Sequence, residues 1–97
     1  MRAYVLIETS VSMAGKVANS IRSLQSPSAH LLAVDTVTGP HDIIAIIEAA
    51  DTDRIGQVVS EDIHQIEGVE KTMSCFVLGE AGHLPGASRG YGQDRAR

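Results

Sequence analysis

The sequence predicts an α+β domain of element order βαββαβ. Three observations carry that reading: β-branched apolar runs of strand length, two segments whose apolar residues recur at helical spacing, and Gly, Pro or Ser clusters between them. Residues 3–9 (AYVLIET) are almost continuously apolar, the pattern of a central strand covered on both faces. Val17, Ala18, Ile21 and Leu24 then fall on one helix face, with Lys16, Asn19, Ser20 and Arg22 elsewhere. Ser10 and Ser12 offer oxygens to cap this helix. It is expected to run to about Leu24, because Pro27 and the serines beside it cannot continue the backbone ladder.

The second strand is expected over residues 30–38 (HLLAVDTVT), a β-branched and partly alternating run that puts Leu32, Val34 and Thr36 on one face and Leu31, Ala33, Asp35 and Val37 on the other. Gly39, Pro40 and His41 form a short turn into residues 42–49 (DIIAIIEA), so the second and third strands should pair as an antiparallel hairpin. Asp51, Thr52 and Asp53 supply capping oxygens and negative charge for a second helix with the stripe Ile55, Val58, Val59, Ile63 and Ile66. That helix is expected to close near Gly68, and residues 69–78 (VEKTMSCFVL) form the fourth strand.

The two halves echo one another, since Ile7 and Glu8 close the first strand as Ile47 and Glu48 close the third. A duplicated βαβ unit is the ferredoxin-like pattern. Right-handed crossovers give a four-stranded antiparallel sheet in the order 4-1-3-2, with both helices on one face. The other face stays apolar, and soluble monomers rarely expose such a patch. Sheet-to-sheet pairing into a dimeric α+β barrel would cover it. Residues 1–79 are expected to form the single domain. Residues 80–97, with Gly82, Gly86, Gly90, Gly92 and Pro85 and few large apolar groups, are expected to form a flexible C-terminal tail.

Composition narrows the function. Ninety-seven residues with a 43% apolar share support one core, and it must be aliphatic because Phe76, Tyr4 and Tyr91 are the only aromatic residues. A net charge of -4 without a basic cluster, and too few rings to stack on bases, argue against DNA binding by this chain alone. Cys75 is the only cysteine, so neither an internal disulfide nor a multi-cysteine zinc cage is possible. His30, His41, His64 and His83 lack HxH or HExxH spacing. No metal, no cofactor and no catalytic group is therefore expected. With no export signal or membrane-length apolar run, the expected location is the cytoplasm, away from any membrane.

The run from Asp35 through Thr38, Gly39, Pro40, His41 and Asp42 to Ile44, followed later by Ile66, Gly68, Val69, Thr72 and Ser74, resembles the effector-binding domain of Lrp/AsnC regulators. The similarity spans about residues 3–78. It implies a βαββαβ domain that dimerises through its sheets and assembles further into rings, usually octameric; a ring of eight or ten chains is expected here. It also implies an amino-acid effector held between dimers near the turn, at Gly39, His41, Asp42, Thr72 and Ser74. At His41 the family usually has an aromatic or small polar residue, and at Ser74 commonly Thr, so ligand identity is left open. Complete regulators carry a DNA-binding helix-turn-helix domain first, whereas here a strand begins at Ala3. The resemblance is therefore to a stand-alone form. It would sense a ligand, possess no direct DNA contact, and act on transcription through full-length partner regulators.

The residues admit two readings. Gly39 permits close backbone approach to a ligand, and Asp42 can accept from an ammonium group, but Asp42 can equally bond its own backbone in an ordinary hairpin. Thr72, Ser74 and Phe76 share one strand face and Met73, Cys75 and Val77 the other. The two hydroxyls could reach one ligand or merely occupy half-polar strand positions. Glu61, Asp62 and His64 are most simply a solvated helix face, unless a neighbouring subunit uses them to close the pocket. The competing function is a small dimeric α+β barrel enzyme of monooxygenase or isomerase type, which would need a proton-moving group inside a protomer pocket.

Overall fold

The computed structural model describes residues 1–79. The expected tail, residues 80–97, lies outside the described residues. Within them the chain runs β1 (Arg2–Thr9), α1 (Ala14–Arg22), β2 (Ala29–Thr36), β3 (Ile43–Ala49), α2 (Thr52–Gln57), a π-helical segment (Val58–Ile63) and β4 (Val69–Phe76). The strands form one antiparallel sheet in the order β2-β3-β1-β4, the order expected from right-handed crossovers, and β2 and β3 pair as the expected hairpin.

Strand alternation divides the residues of this sheet between a covered and an open face. Ala3, Val5 and Ile7 of β1 and Ile43, Ala45 and Ile47 of β3 are at most 2% exposed. They cluster with Val17, Ala18 and Ile21 of α1, and with Ile55, Val58, Val59 and Ile63 of the second helical stretch. Burying an aliphatic side chain of this size stabilises the fold by about 1.5–3 kcal/mol. The alternate residues, Tyr4, Leu6, Ile44 and Ile46, belong to the open face, with Met73 and Cys75 beside them on β4.

Three local features depart from the periodic expectation. An extra residue, Leu32, sits in β2 between the pairs Leu31↔Ile47 and Ala33↔Ile46. This bulge puts Leu31 on the same face as Val34, not on the opposite face expected from the alternation. The serines before α1 do not cap it. Met13 is the capping residue and makes no side-chain bond. Ser12 adopts a φ of +67°, and the Ser10 hydroxyl donates instead to Glu70 Oε2 at 3.0 Å. The second helical stretch has the expected start, where Asp51 Oδ1 accepts from the Arg54 N-H at 2.9 Å. It then widens into a π-helical turn, with the His64 N-H donating five residues back to the Val59 carbonyl at 2.8 Å. Its expected stripe is buried at Ile55, Val58, Val59 and Ile63, with Ile66 packed partly against the core.

Gly68 closes that stretch with a φ of +101°. Its carbonyl accepts from the Ser10 N-H at 2.8 Å, tying the start of β4 to the end of β1. A side chain there would also collide, since a Cβ would lie 2.9 Å from Met13 Cε and 3.0 Å from Val17 Cγ2.

Candidate functional site

The turn between β2 and β3 is fastened to the neighbouring strand by one residue. Asp42 Oδ2 accepts from the Thr9 N-H at 2.8 Å, the Asp42 N-H donates to the Ile7 carbonyl at 2.9 Å, and the Asp42 carbonyl accepts from the Val37 N-H at 2.9 Å. The Asp42 carboxylate therefore bonds to β1 and not, as in an ordinary hairpin turn, to the backbone of its own loop. The Asp42 carbonyl closes the turn through the Val37 N-H, while its N-H and one carboxylate oxygen bond to the end of β1. Gly39, at a φ of +116° with nothing within 4 Å of where a Cβ would stand, gives the turn an open backbone edge. Only glycine occupies that conformation without strain.

His41 leans from this turn over the open face of the sheet. Its Nε2 lies 3.9 Å from Glu8 Oε2, an ion pair when the imidazole is protonated. Together His41, Glu8, Leu6, Lys71, Thr72 and Met73 line a small, partly open cavity of about 70 Å³. The pairing of β1 with β4 explains the grouping, because Leu6 faces Met73 and Glu8 faces Lys71.

Of the five residues expected at the site, the structure brings His41 and Thr72 to this cavity and holds Gly39 and Asp42 in the turn beside it. Thr72 pairs with Ile7 and Ser74 with Val5. By alternation both hydroxyls belong to the helix-covered side, so Thr72 borders the cavity through its main chain between Lys71 and Met73. Ser74 lies one pair further along and does not border it. Glu8 and Lys71 were missed as site residues. Their shared position follows from the register of β1 against β4, which joins residues 63 positions apart.

Among the described residues no group of three or more His, Cys, Asp or Glu side chains could hold a metal ion. Nor is any described helix long and apolar enough to cross a membrane. Cys75 is exposed and opposite Tyr4. Pro40 and the turn backbone aside, the polar groups near the cavity are a carboxylate, an ammonium and an imidazole, a set suited to holding charged groups of a small ligand.

Residues 2–83 match the family model of the Lrp/AsnC ligand binding domain. The chain belongs to this family. It is a regulatory ligand-binding family rather than a family of enzymes. Among solved structures, the chain is similar to the protein TTHA0845 from Thermus thermophilus, with 28% identity and a TM-score of 0.75, covering 84% of this chain and 98% of that one. It shares its fold with AsnC of E. coli, at 17% identity and a TM-score of 0.74, over 86% of this chain and 54% of the other. The same holds for the transcriptional regulator NMB0573 of Neisseria meningitidis, solved as a complex with L-Met, at 24% identity and a TM-score of 0.70, over 84% and 52% of the respective chains. This chain therefore spans about half the length of those two regulators. No curated protein matches it.

Proposed function

We propose that this protein is a cytoplasmic effector-binding module that takes up a free amino acid beside the turn 39–42, at an interface between copies of the chain, and alters transcription through full-length regulators of its family. The observation that carries the reading is the Asp42 clamp. It holds an open glycine edge and the His41 imidazole beside a small cavity of mixed charge. The L-Met complex of the Neisseria meningitidis regulator supports an amino acid as the ligand class. Within this proposal Gly39 admits the ligand to the backbone, His41 and the Thr72 main chain contact it, and Asp42 holds the turn in place. Ser74 has a structural role on the covered face. Residues 1–79 constitute the whole binding domain. The open sheet face packs against that of a second copy, and the dimers build a ring of eight or ten chains. The module catalyses no reaction and does not bind DNA unaided.

A thermal-shift screen of the twenty amino acids tests the reading. A ligand at 100 times its dissociation constant stabilises the native state by about 2.7 kcal/mol, which for a domain of this size raises the melting temperature by on the order of 10 °C. Gly39→Val should weaken the ligand identified by at least tenfold, since it strains the turn and blocks the backbone edge. Absence of any shift across the twenty amino acids, with the oligomer intact, removes the proposal.

A further inference from the structure

At the mouth of the cavity beside the turn, two opposite charges face each other across one strand pair. Glu8 and Lys71 are Cα partners in the β1 and β4 ladder, at the last regular pair before the register shifts. Directly opposed residues start with Cβ atoms about 5 Å apart, close enough for their charged ends to meet. They do not meet here. Glu8 Oε2 turns toward His41 Nε2 at 3.9 Å, and Lys71 enters none of the three ion pairs among the described residues. Leu6 and Met73, the next pair on the same face, supply the apolar part of the cavity's lining.

The inventory is an acceptor-only carboxylate with an imidazole beside it, a donor-only ammonium and two apolar walls. A free amino acid offers the complement: an ammonium, a carboxylate and one side chain. We infer that Glu8 and Lys71 read the two charges of the ligand, Glu8 accepting from its α-ammonium and Lys71 donating to its α-carboxylate, while Leu6 and Met73 select an aliphatic side chain. An acidic side chain would set a second anion against Glu8, and a basic one a second cation against Lys71. Asp42, with its carboxylate bonded to the Thr9 N-H, becomes a positioning residue for His41. The inference rests on the proposal that the chain binds an amino acid at this turn, and adds which groups recognise it.

Calorimetric titration of the full chain with L-leucine, L-leucinamide and N-acetyl-L-leucine, then with L-glutamate and L-lysine, tests it. The wild type should bind L-leucine at least tenfold more tightly than the other four. Lys71→Met should erase the preference over L-leucinamide, whose carboxylate is blocked, and keep the preference over N-acetyl-L-leucine. Glu8→Gln should do the reverse, and Lys71→Arg should behave as wild type. Circular dichroism and light scattering confirm that each variant keeps its fold and assembly. Preferences unchanged in both variants, or all three leucine compounds weakened equally, would overturn the assignment. A tight ligand that is not aliphatic, found in the screen of twenty, overturns it while leaving effector binding standing. No amino-acid binding at all removes both.

Discussion

The covered and open faces of the sheet are built from the same strands, yet they carry different chemistry. On the covered face Ala3, Val5, Ile7, Ile43, Ala45 and Ile47 are all but inaccessible, and among the described residues no polar side chain is buried. On the open face the middle is apolar, with Tyr4, Leu6, Ile44, Ile46 and Met73 and with Asp35 at the β2 margin, but both ends carry charges: Arg2 and Glu48, with His30 beside them, at one, Glu8 and Lys71 at the other. One face is a finished core, and the other is an apolar patch framed by ions. The difference teaches that stability and the proposed face-to-face association are separable here. A substitution should affect one or the other according to the parity of its position in the strand.

The largest effect that can break this comparison is a charge placed on each face of β1. Val5→Asp introduces a charge at a fully buried position. The penalty for an unpaired buried charge is comparable to the total stability of a small domain, so the variant should fail to fold. Leu6→Asp, one residue on, should retain a native circular dichroism spectrum but scatter light as a monomer. Should both variants unfold, or Val5→Asp fold, the division into faces is mistaken.

Two glycines sharpen the comparison at lower energy. Gly68→Ala combines a left-handed φ with contacts of 2.9–3.1 Å to Met13 and Val17, whereas Gly39→Ala has the φ of +116° but open space around it. Urea denaturation should therefore report a loss of about 2–3 kcal/mol for Gly68→Ala and about 1 kcal/mol for Gly39→Ala. Equal losses would mean that backbone strain alone matters and that packing under α1 has slack. The smallest effect belongs to the cap of α2. Asp51→Ala removes the bond to the Arg54 N-H and should lower the denaturation midpoint by the equivalent of about 1 kcal/mol, with the oligomer and ligand affinity unchanged.

Much of the fold could be read from residue pattern. The four strands, the Asp51 cap and the closing glycine at Gly68 all have local signatures, and right-handed crossovers then leave one sheet order. The faces of β1 could not be assigned, because residues 3–9 are apolar at both parities and period two carries no signal when neither side is polar. The bulge at Leu32 and the π-helical turn at Val58–Ile63 have no local signature, since they arise where the strand and helix must fit elements already placed. At the candidate site, Gly39 and Asp42 were legible as turn chemistry. The bond from the Thr9 N-H to Asp42 and the meeting of Glu8 with Lys71 were not, because each depends on strand register. The echo of Ile7 and Glu8 in Ile47 and Glu48 was a usable clue. Both acids prove to lie on the open face, at opposite ends.

Both outermost strands hold one residue more than the strand they pair with, Leu32 in β2 and Glu70 in β4. An incoming strand needs an uninterrupted row of donors and acceptors, and at either margin that row is broken by the irregularity. The margins are thereby poor templates for lengthening the sheet sideways, which favours the face-to-face stacking proposed above. Because stacking two faces covers both and stops, whereas strand addition always leaves a fresh margin, two misplaced residues favour a finite particle over a fibre.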